Sequence, residues 1–417
     1  MEVEKRHHVS IFGLESWVWI AVLVAGLGYF VDVVDLWLFS NFRVASLLEL
    51  GLTQAQVTTE GVFLLNCQQV GLLLGGITWG ILGDKRGRAS VMFGSILLYS
   101  IGNILNAFIV DVHQYAILRF LTGLGLAGEI GAGITLVCEI LPKDKRGIGT
   151  TFVTGLGVAG AIFAALMGKY LDWRTAYFVG GVMGLALLFL RIFTHDSGMF
   201  ERMRMDNRIS KGSLRLLFGR PQSLICFFSC VAAGAPIYLT FAIFASLSPE
   251  VAPAFGVAEP VVVPEVMLAV SIGMTAGDVF AGGLSQLMRS RKIPLLLLIA
   301  LTGLVAAMIV SELFPSRNGF LILVGLLGLF SGYWACLITT SSEQFGTNIR
   351  ATVTTMVPNL IRATAIVMTT LFVYLQHYTT VRIAVITIVV GVFSVALLGV
   401  SRLKETFSRD LNFYEEC

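Results

Sequence analysis

Charge is scarce in this sequence. Only 13% of its 417 residues are Asp, Glu, Lys or Arg, while 56% are hydrophobic. A soluble domain carries roughly 25% charged residues, so too few polar side chains remain to coat a water-facing surface. An integral membrane protein in contact with a lipid bilayer is therefore expected. Cysteine is sparse and unpatterned: Cys67, Cys138, Cys226, Cys230, Cys336 and Cys417 show no ligand-type spacing and imply no disulfide framework. His7 and His8 sit in a charged tail, and His113, His195 and His377 are scattered. Neither a Ser/His/Asp nucleophile set nor a nucleotide-binding loop appears. No enzyme, cofactor, metal site or nucleic-acid partner is expected. The N-terminal "MEVEKRHHVSIFGLES" lacks a small-residue cleavage site before its apolar run, so no cleaved signal peptide is expected.

What is present in abundance is apolar sequence of membrane-spanning length, about 20 residues per helix. Twelve such runs are read at 16–41, 59–82, 89–110, 113–141, 148–168, 173–193, 223–247, 262–288, 293–313, 319–341, 351–376 and 380–402. The longest polar connection, 194–222, divides them into six and six. The net charge of +3 matters less than its distribution, because basic residues collect on the cytoplasmic side. One set of connections holds Lys85, Arg86 and Arg88; Lys143, Lys145 and Arg146; six Lys or Arg between Arg202 and Arg220; and Arg289, Arg291 and Lys292. The opposite set holds only Arg43, Lys169, Arg174, Arg317 and Arg382. Both termini and the central connection are thereby expected in the cytoplasm.

The halves echo each other. "EILPKDKRGIGTTFV" from Glu139 and "EQFGTNIRATVTTMV" from Glu343 agree at Glu139/Glu343, Arg146/Arg350, Thr150/Thr354, Thr151/Thr355 and Val153/Val357, all at one offset near half the chain length. A fainter echo joins "GILGDKRGRA" at Gly80 to "GLSQLMRSRK" at Gly283. Duplicated halves related by an axis along the membrane normal, with substrate held between them, are one architecture of transporters.

Against this apolar background, "GLGYFVDVVDLWLFSNF" (26–42) places Asp32 and Asp35 inside a spanning run. Each carboxylate costs about 2.5–3.5 kcal/mol on insertion scales. Three residues apart, the two share one helical face, which must look into the bundle or a wet cavity. Arg119 and Asp35 are expected at matching depths near the periplasmic side, so an ion pair between them is geometrically reasonable. Glu129 lies ten residues beyond Arg119, roughly 15 Å deeper. In the second half, Arg362 stands in "VPNLIRATAIV" beside Asn359, where Pro358 removes a backbone hydrogen bond. Asp278, Gln68 and Gln69 are further polar candidates within spanning runs.

Several motifs point to one family. "GILGDKRGRA" (80–89), with Gly83 and Gly87 suited to a tight turn and Asp84 and Arg88 to a charge contact, is similar to the signature of the major facilitator superfamily. So is "RFLTGLGLAGE" followed by "EILPKDKRG". The G-x-x-x-D-x-x-D of Gly28, Asp32 and Asp35, the Arg119 and Gly128-Glu129 positions, "DWRTAYF" (172–178) and "DSGMFERM" (196–203) together resemble the metabolite:proton symporter branch. The sequence departs from that branch where Asp32 replaces a more usual Glu and where Val33 and Val34 replace aromatic residues.

The resemblance implies an all-α membrane protein of twelve transmembrane helices in two pseudo-symmetric six-helix bundles. These would be residues 1–193 and 223–417, joined by the cytoplasmic linker 194–222, in a bacterial inner membrane and as a monomer. It implies proton-coupled uptake of a small carboxylate or zwitterion by alternating access. Asp32, Asp35, Arg119 and Glu129 would couple protons. Asp32, Glu129, Arg362, Asn359 and Gln68 would bind substrate. Gly83, Asp84, Arg88, Glu139, Arg146, Glu343 and Arg350 would gate the inner mouth. Export of a metabolite or carboxylate siderophore, and a receptor that binds without turnover, remain open alternatives. The fifth run, "GLGVAGAIFAALMG", lacks the Gly-Pro pair usual in drug–proton exporters of the superfamily, which weighs against that type.

Overall fold

The computed structural model describes residues 16–86, 88–129, 133, 137, 140–141, 146–191, 217 and 219–407, and among them the regular structure is entirely helical. In chain order the helices are α1 (Ser16–Glu49), α2 (Gln54–Arg86), α3 (Arg88–Asn106), α4 (Val112–Leu126), α5 (Arg146–Tyr170), α6 (Trp173–Arg191) and α7 (Pro221–Leu239). They continue with α8 (Ser248–Ala254), α9 (Val263–Leu287), α10 (Lys292–Val310), α11 (Arg317–Ser331), α12 (Trp334–Gln344), α13 (Thr347–Gln376) and α14 (Val381–Arg402). A π-helical turn, Thr240–Ala245, carries α7 onward.

Where twelve spans are expected, 10 helical segments among the described residues have the length and apolarity to cross a membrane. The apolar part of α3, Val91–Asn106, is shorter. Large apolar side chains such as Ile117, Phe189, Val279, Ile322, Val367 and Val390 point outward and stay exposed. This is the expected surface when the solvent is lipid rather than water. The chain is an all-α integral membrane protein.

Local chemistry sets several helix starts. Asp111 accepts a hydrogen bond from the Gln114 backbone N–H at 2.8 Å to cap α4, Ser316 does the same for α11 through Gly319, and Thr380 for α14 through Ile383. Asp172 accepts from the Thr175 N–H at 2.9 Å ahead of α6, and hydrogen bonds from Thr175 hold its carboxyl below the ordinary range. Pro236 interrupts the backbone ladder of α7, and the π turn follows within a few residues.

Three boundaries differ from the sequence reading for physical reasons. α1 runs on past residue 41 to Glu49, because the polar stretch at its end is buried and bonded rather than solvated. α2 stays helical through Gly83 and Asp84 to Arg86, leaving only Gly87 before α3. The 319–341 run breaks into α11 and α12 at Gly332 and Tyr333.

Small residues bring helices together in a repeated way. A Cβ built on Gly71 or Gly75 of α2 would lie 2.2 or 2.4 Å from the Phe120 or Leu124 carbonyl oxygen of α4. On α9, Gly273 and Gly277 approach the Gly325 and Leu329 carbonyls of α11 so closely that a Cβ would sit 2.1 Å away. Both pairs are small-xxx-small contacts, spaced close to the offset of the sequence echo. Packing follows the same repeat: α1 lies on α5 and α2 on α4, while α7 lies on α13 and α9 on α11. The two sets meet through α2 against α13 and α5 against α9.

Candidate functional site

Asp32 of α1 and Arg362 of α13 form an ion pair, Nη2 to Oδ2 3.1 Å, with both side chains buried (0% and 1% exposed). It joins the two sets of helices across 330 positions of sequence. Its remaining polar atoms, Asp32 Oδ1 and Arg362 Nε and Nη1, are buried without hydrogen-bond partners among the described residues. Tyr29 and Tyr238 lie close enough to feel the Arg362 charge. Beside them Trp37 stacks on Phe241 of the π turn, centroids 4.1 Å apart, and on Tyr238 at 6.2 Å. A small cavity lies on the far side of Trp37 and Tyr238, lined also by Ser40, Gln69 and Ser246 but by neither Asp32 nor Arg362. A buried guanidinium, its paired carboxylate and aromatic faces are thus gathered where α1, α7 and α13 meet.

Asp35 is nearby but differently held. Both its carboxylate oxygens are buried without a hydrogen-bond partner. Asn103 of α3 is a close polar neighbour without hydrogen-bond geometry, and Gly180 of α6 packs against Oδ1. The expected direct pair with Arg119 is not formed. Arg119 is fully buried, acts on Asp35 only through space and donates from Nη1 to the Tyr177 hydroxyl at 3.3 Å. Its guanidinium lies 5.5 Å from the ring centroids of both Phe39 and Tyr177, so cation–π attraction supplies what an anion would otherwise supply.

The other expected residues are distributed more widely. Glu129 is buried just beyond α4. Gln68 is buried with neither amide atom hydrogen-bonded. Asn359 donates to the Ala127 carbonyl at 3.3 Å and to the Thr355 carbonyl at 3.1 Å. It thus braces α13 against the end of α4, with Gly76 of α2 leaving it room. Asp278 accepts the Ala335 backbone N–H at 3.1 Å, capping α12 at the break in that run.

Of the gating set, Glu139 and the side chains of Gly83, Asp84, Arg88, Arg146 and Arg350 lie outside the described residues. Glu343 meets Arg291 at 3.6 Å and accepts from Thr406 at 2.7 Å. Next to it Glu405 accepts from the Ser290 hydroxyl and from the backbone N–H groups of Arg291 and Lys292. Burial alone would raise the Glu405 carboxyl, but these bonds, with that of Phe407, outweigh it and hold it at about 2.

A second contact between the two sets of helices was not anticipated. Arg43, expected in a connecting loop, lies inside α1 and is completely buried. Its Nη2 donates to both Glu250 carboxylate oxygens (2.9 and 3.0 Å) and to the Ser246 carbonyl at 3.0 Å. Thr58 also donates to Glu250, Ser246 donates to Ser40, and Asn66 bridges Thr369 and Thr370. The C-terminal end of α1 and the first half of α2 are therefore tied to the second set of helices. The available signal was charge parity: Arg43 and Glu250 each end a long apolar run. Tyr177 carried one too, inside the "DWRTAYF" motif.

The sequence signature of the Major Facilitator Superfamily matches residues 18–368. The chain belongs to the major facilitator superfamily. It is 29% identical over 335 residues to a protein named as a probable 4-methylmuconolactone transporter of Cupriavidus pinatubonensis, covering 78% of this chain and 76% of that one. It is 26% identical over 334 residues to the 3-(3-hydroxy-phenyl)propionate transporter of Escherichia coli, covering 75% and 79%. The solved proton:xylose symporter XylE bound to 6-bromo-6-deoxy-D-glucose shares the fold, with TM-score 0.71 and 15% identity over 95% of this chain and 98% of that one. The protein is thus a secondary transporter of a small metabolite and not an enzyme.

Proposed function

We propose that the protein imports a small cyclic or aromatic carboxylate together with protons across a bacterial inner membrane. The observation that carries this reading is the buried Asp32–Arg362 pair bridging the two sets of helices. A substrate carboxylate is a chemical copy of the Asp32 side chain, so it competes for the same guanidinium. Displaced from Arg362, Asp32 is left in a water-poor interior where a bare charge is costly, and it takes a proton. Asp35, with no bonded partner, is the second proton carrier. One anion then enters with at least one proton, and the gradient drives accumulation. Trp37, Tyr238 and Phe241 would stack on the ring of the substrate. The relative whose name specifies a phenyl-propionate supports this class.

The architecture we assign is twelve transmembrane helices in two six-helix bundles, 1–193 and 223–417, that rock about the seam formed by α2 with α13 and α5 with α9. The repeated glycine contacts support the division. By the distribution of Lys and Arg, both termini face the cytoplasm, so the face fastened by Arg43 and Glu250 is the periplasmic one. Glu129, Gln68 and Asn359 would then line the route beyond the central pair.

The test is substrate-induced proton flux into proteoliposomes, with hydroxylated phenylpropionates and benzoates beside aliphatic dicarboxylates, amino acids and sugars. Proton entry with the aromatic acids, lost in Asp35→Asn, is the expected result. Uptake of a neutral sugar with no aromatic acid transported would overturn the substrate class. Tight binding without any flux would overturn transport.

A further inference from the structure

Arg119 and Asp35 are both buried and both incompletely bonded, yet they do not pair. Arg119 leaves Nε and Nη2 without partners, and Asp35 leaves both oxygens so. An ionised Asp35 would attract Arg119 strongly in such a setting, yet Arg119 is bonded on its other side.

The restraint is a run of hydroxyls with a fixed direction. Arg119 Nη1 donates to Tyr177 at 3.3 Å, and the Tyr177 and Tyr115 hydroxyls meet at 2.8 Å. Tyr115 meets Ser46 at 3.4 Å, and Ser46 donates to the Arg43 carbonyl at 3.4 Å. A guanidinium only donates and a carbonyl only accepts. Tyr177 must therefore pass its proton to Tyr115, and Tyr115 its proton to Ser46. The chain starts at Arg119 and ends on the backbone of the residue whose side chain clasps Glu250. Trp173 walls it on one side, its ring 6.2 Å from Tyr115 and 6.3 Å from Tyr177.

We infer that Tyr177, backed by Tyr115 and Ser46, is a positioning residue that holds Arg119 off Asp35 while the Arg43–Glu250 face is closed, so that Asp35 keeps its proton in transit. The inference rests on the reading of Asp35 as a proton carrier. Other groups near Asp35 do not replace this role. Asp32, on the same helix, is engaged by Arg362 of α13. Asn103 of α3 is an uncharged amide, and Asp278 of α9 caps α12. Glu129 lies beyond the far end of α4 from Tyr115. On α2, Gln68 and Gln69 are neutral and Glu60, an acid near the Arg43 end, is partly exposed, while Lys169 of α5 is exposed at that helix's end.

The experiment needs no substrate. Purified full-length protein in lipid is titrated by infrared difference spectroscopy, and the protonated-carboxyl band lost in Asp35→Asn reports Asp35. In Tyr177→Phe, Arg119 is released to Asp35, and a neighbouring cation favours the carboxylate. The midpoint of that band should fall by about one pH unit or more, a tenfold or greater loss of proton affinity. Tyr115→Phe should move it the same way by less, and decides the matter alone should Tyr177→Phe fail to fold. Midpoints equal to wild type in the variants that fold would overturn the inference. A shifted midpoint without proton-coupled uptake by wild type would count instead against the reading of Asp35.

Discussion

Asp32 and Arg362 meet at 3.1 Å in the interior, each almost wholly withdrawn from solvent. Neither has another charged partner in direct contact among the described residues. With Arg43–Glu250, the pair is one of two ion pairs that join the two sets of helices among the described residues.

Breaking one side of this joint should be worse than removing both. Arg362→Ala leaves Asp32 buried and uncompensated, a change that destabilises by about 3–5 kcal/mol. Combining Asp32→Asn with Arg362→Gln should recover much of that loss while leaving transport abolished. Thermal unfolding in detergent with a parallel uptake assay checks both halves. Equal stability of the single and double variants would show that the pair carries no net coupling.

The clasp at Arg43 and Glu250 is expected to set how often the closed face opens. Hydrogen bonds to charged groups are worth about 1.5–3 kcal/mol each, so Glu250→Gln should shift the closed population roughly tenfold or more. Labelling by a membrane-impermeant thiol reagent at Ser40→Cys reads that shift. A complementary lock joins Asn66→Cys to Thr370→Cys, positions whose side chains are bonded at 3.0 Å. Oxidation should stop uptake and reductant restore it.

Close helix approach makes particular glycines irreplaceable. A methyl group at Gly71 would stand 2.2 Å from the Phe120 carbonyl oxygen, and one at Gly273 2.1 Å from that of Gly325. Backbone cannot yield as a flexible side chain does, so Gly71→Ala and Gly273→Ala should each destabilise by about 1–3 kcal/mol or fail to accumulate. Gly391 of α14 has nothing within 4 Å of a built Cβ, and Gly391→Ala should be neutral or slightly stabilising. Yield and melting temperature of the three variants separate these outcomes.

Acid should release the segment after α14. Glu405 titrates near 2 in the folded chain, below its ordinary value of 4.5. A depressed carboxyl contributes stability that is fully present above the unfolded value and is lost as pH falls through the folded one. Docking of residues 403–407 on the start of α10 should therefore weaken between about pH 4.5 and 2. Limited proteolysis of the C-terminal segment against pH measures it, and Glu405→Gln should be equally susceptible across that range.

Much of the fold was legible in the residues themselves. Composition alone demands a lipid environment, and apolar runs of spanning length mark nearly every long helix. Boundaries failed where polar residues close an apolar run, as at Ser40–Arg43, because sequence does not reveal whether a polar group meets water or a partner. The candidate site was half legible. Asp32, Asp35, Arg119 and Arg362 stand out as charges in apolar runs, since an ionised group within a bilayer needs a reason to be there.

Pairing was decided only by tertiary structure. Depth matching suggested Asp35 with Arg119, but depth fixes one coordinate of three. Packing gives Asp32 to Arg362, gives Arg119 to Tyr177 and the flanking rings, and gives Arg43 to Glu250. The sequence by itself determined which helices must be buried in lipid and which charges must be sheltered. Long-range packing determined what shelters each, because a buried charge is stabilised by neighbours within a few ångströms, and only the folded chain brings them there.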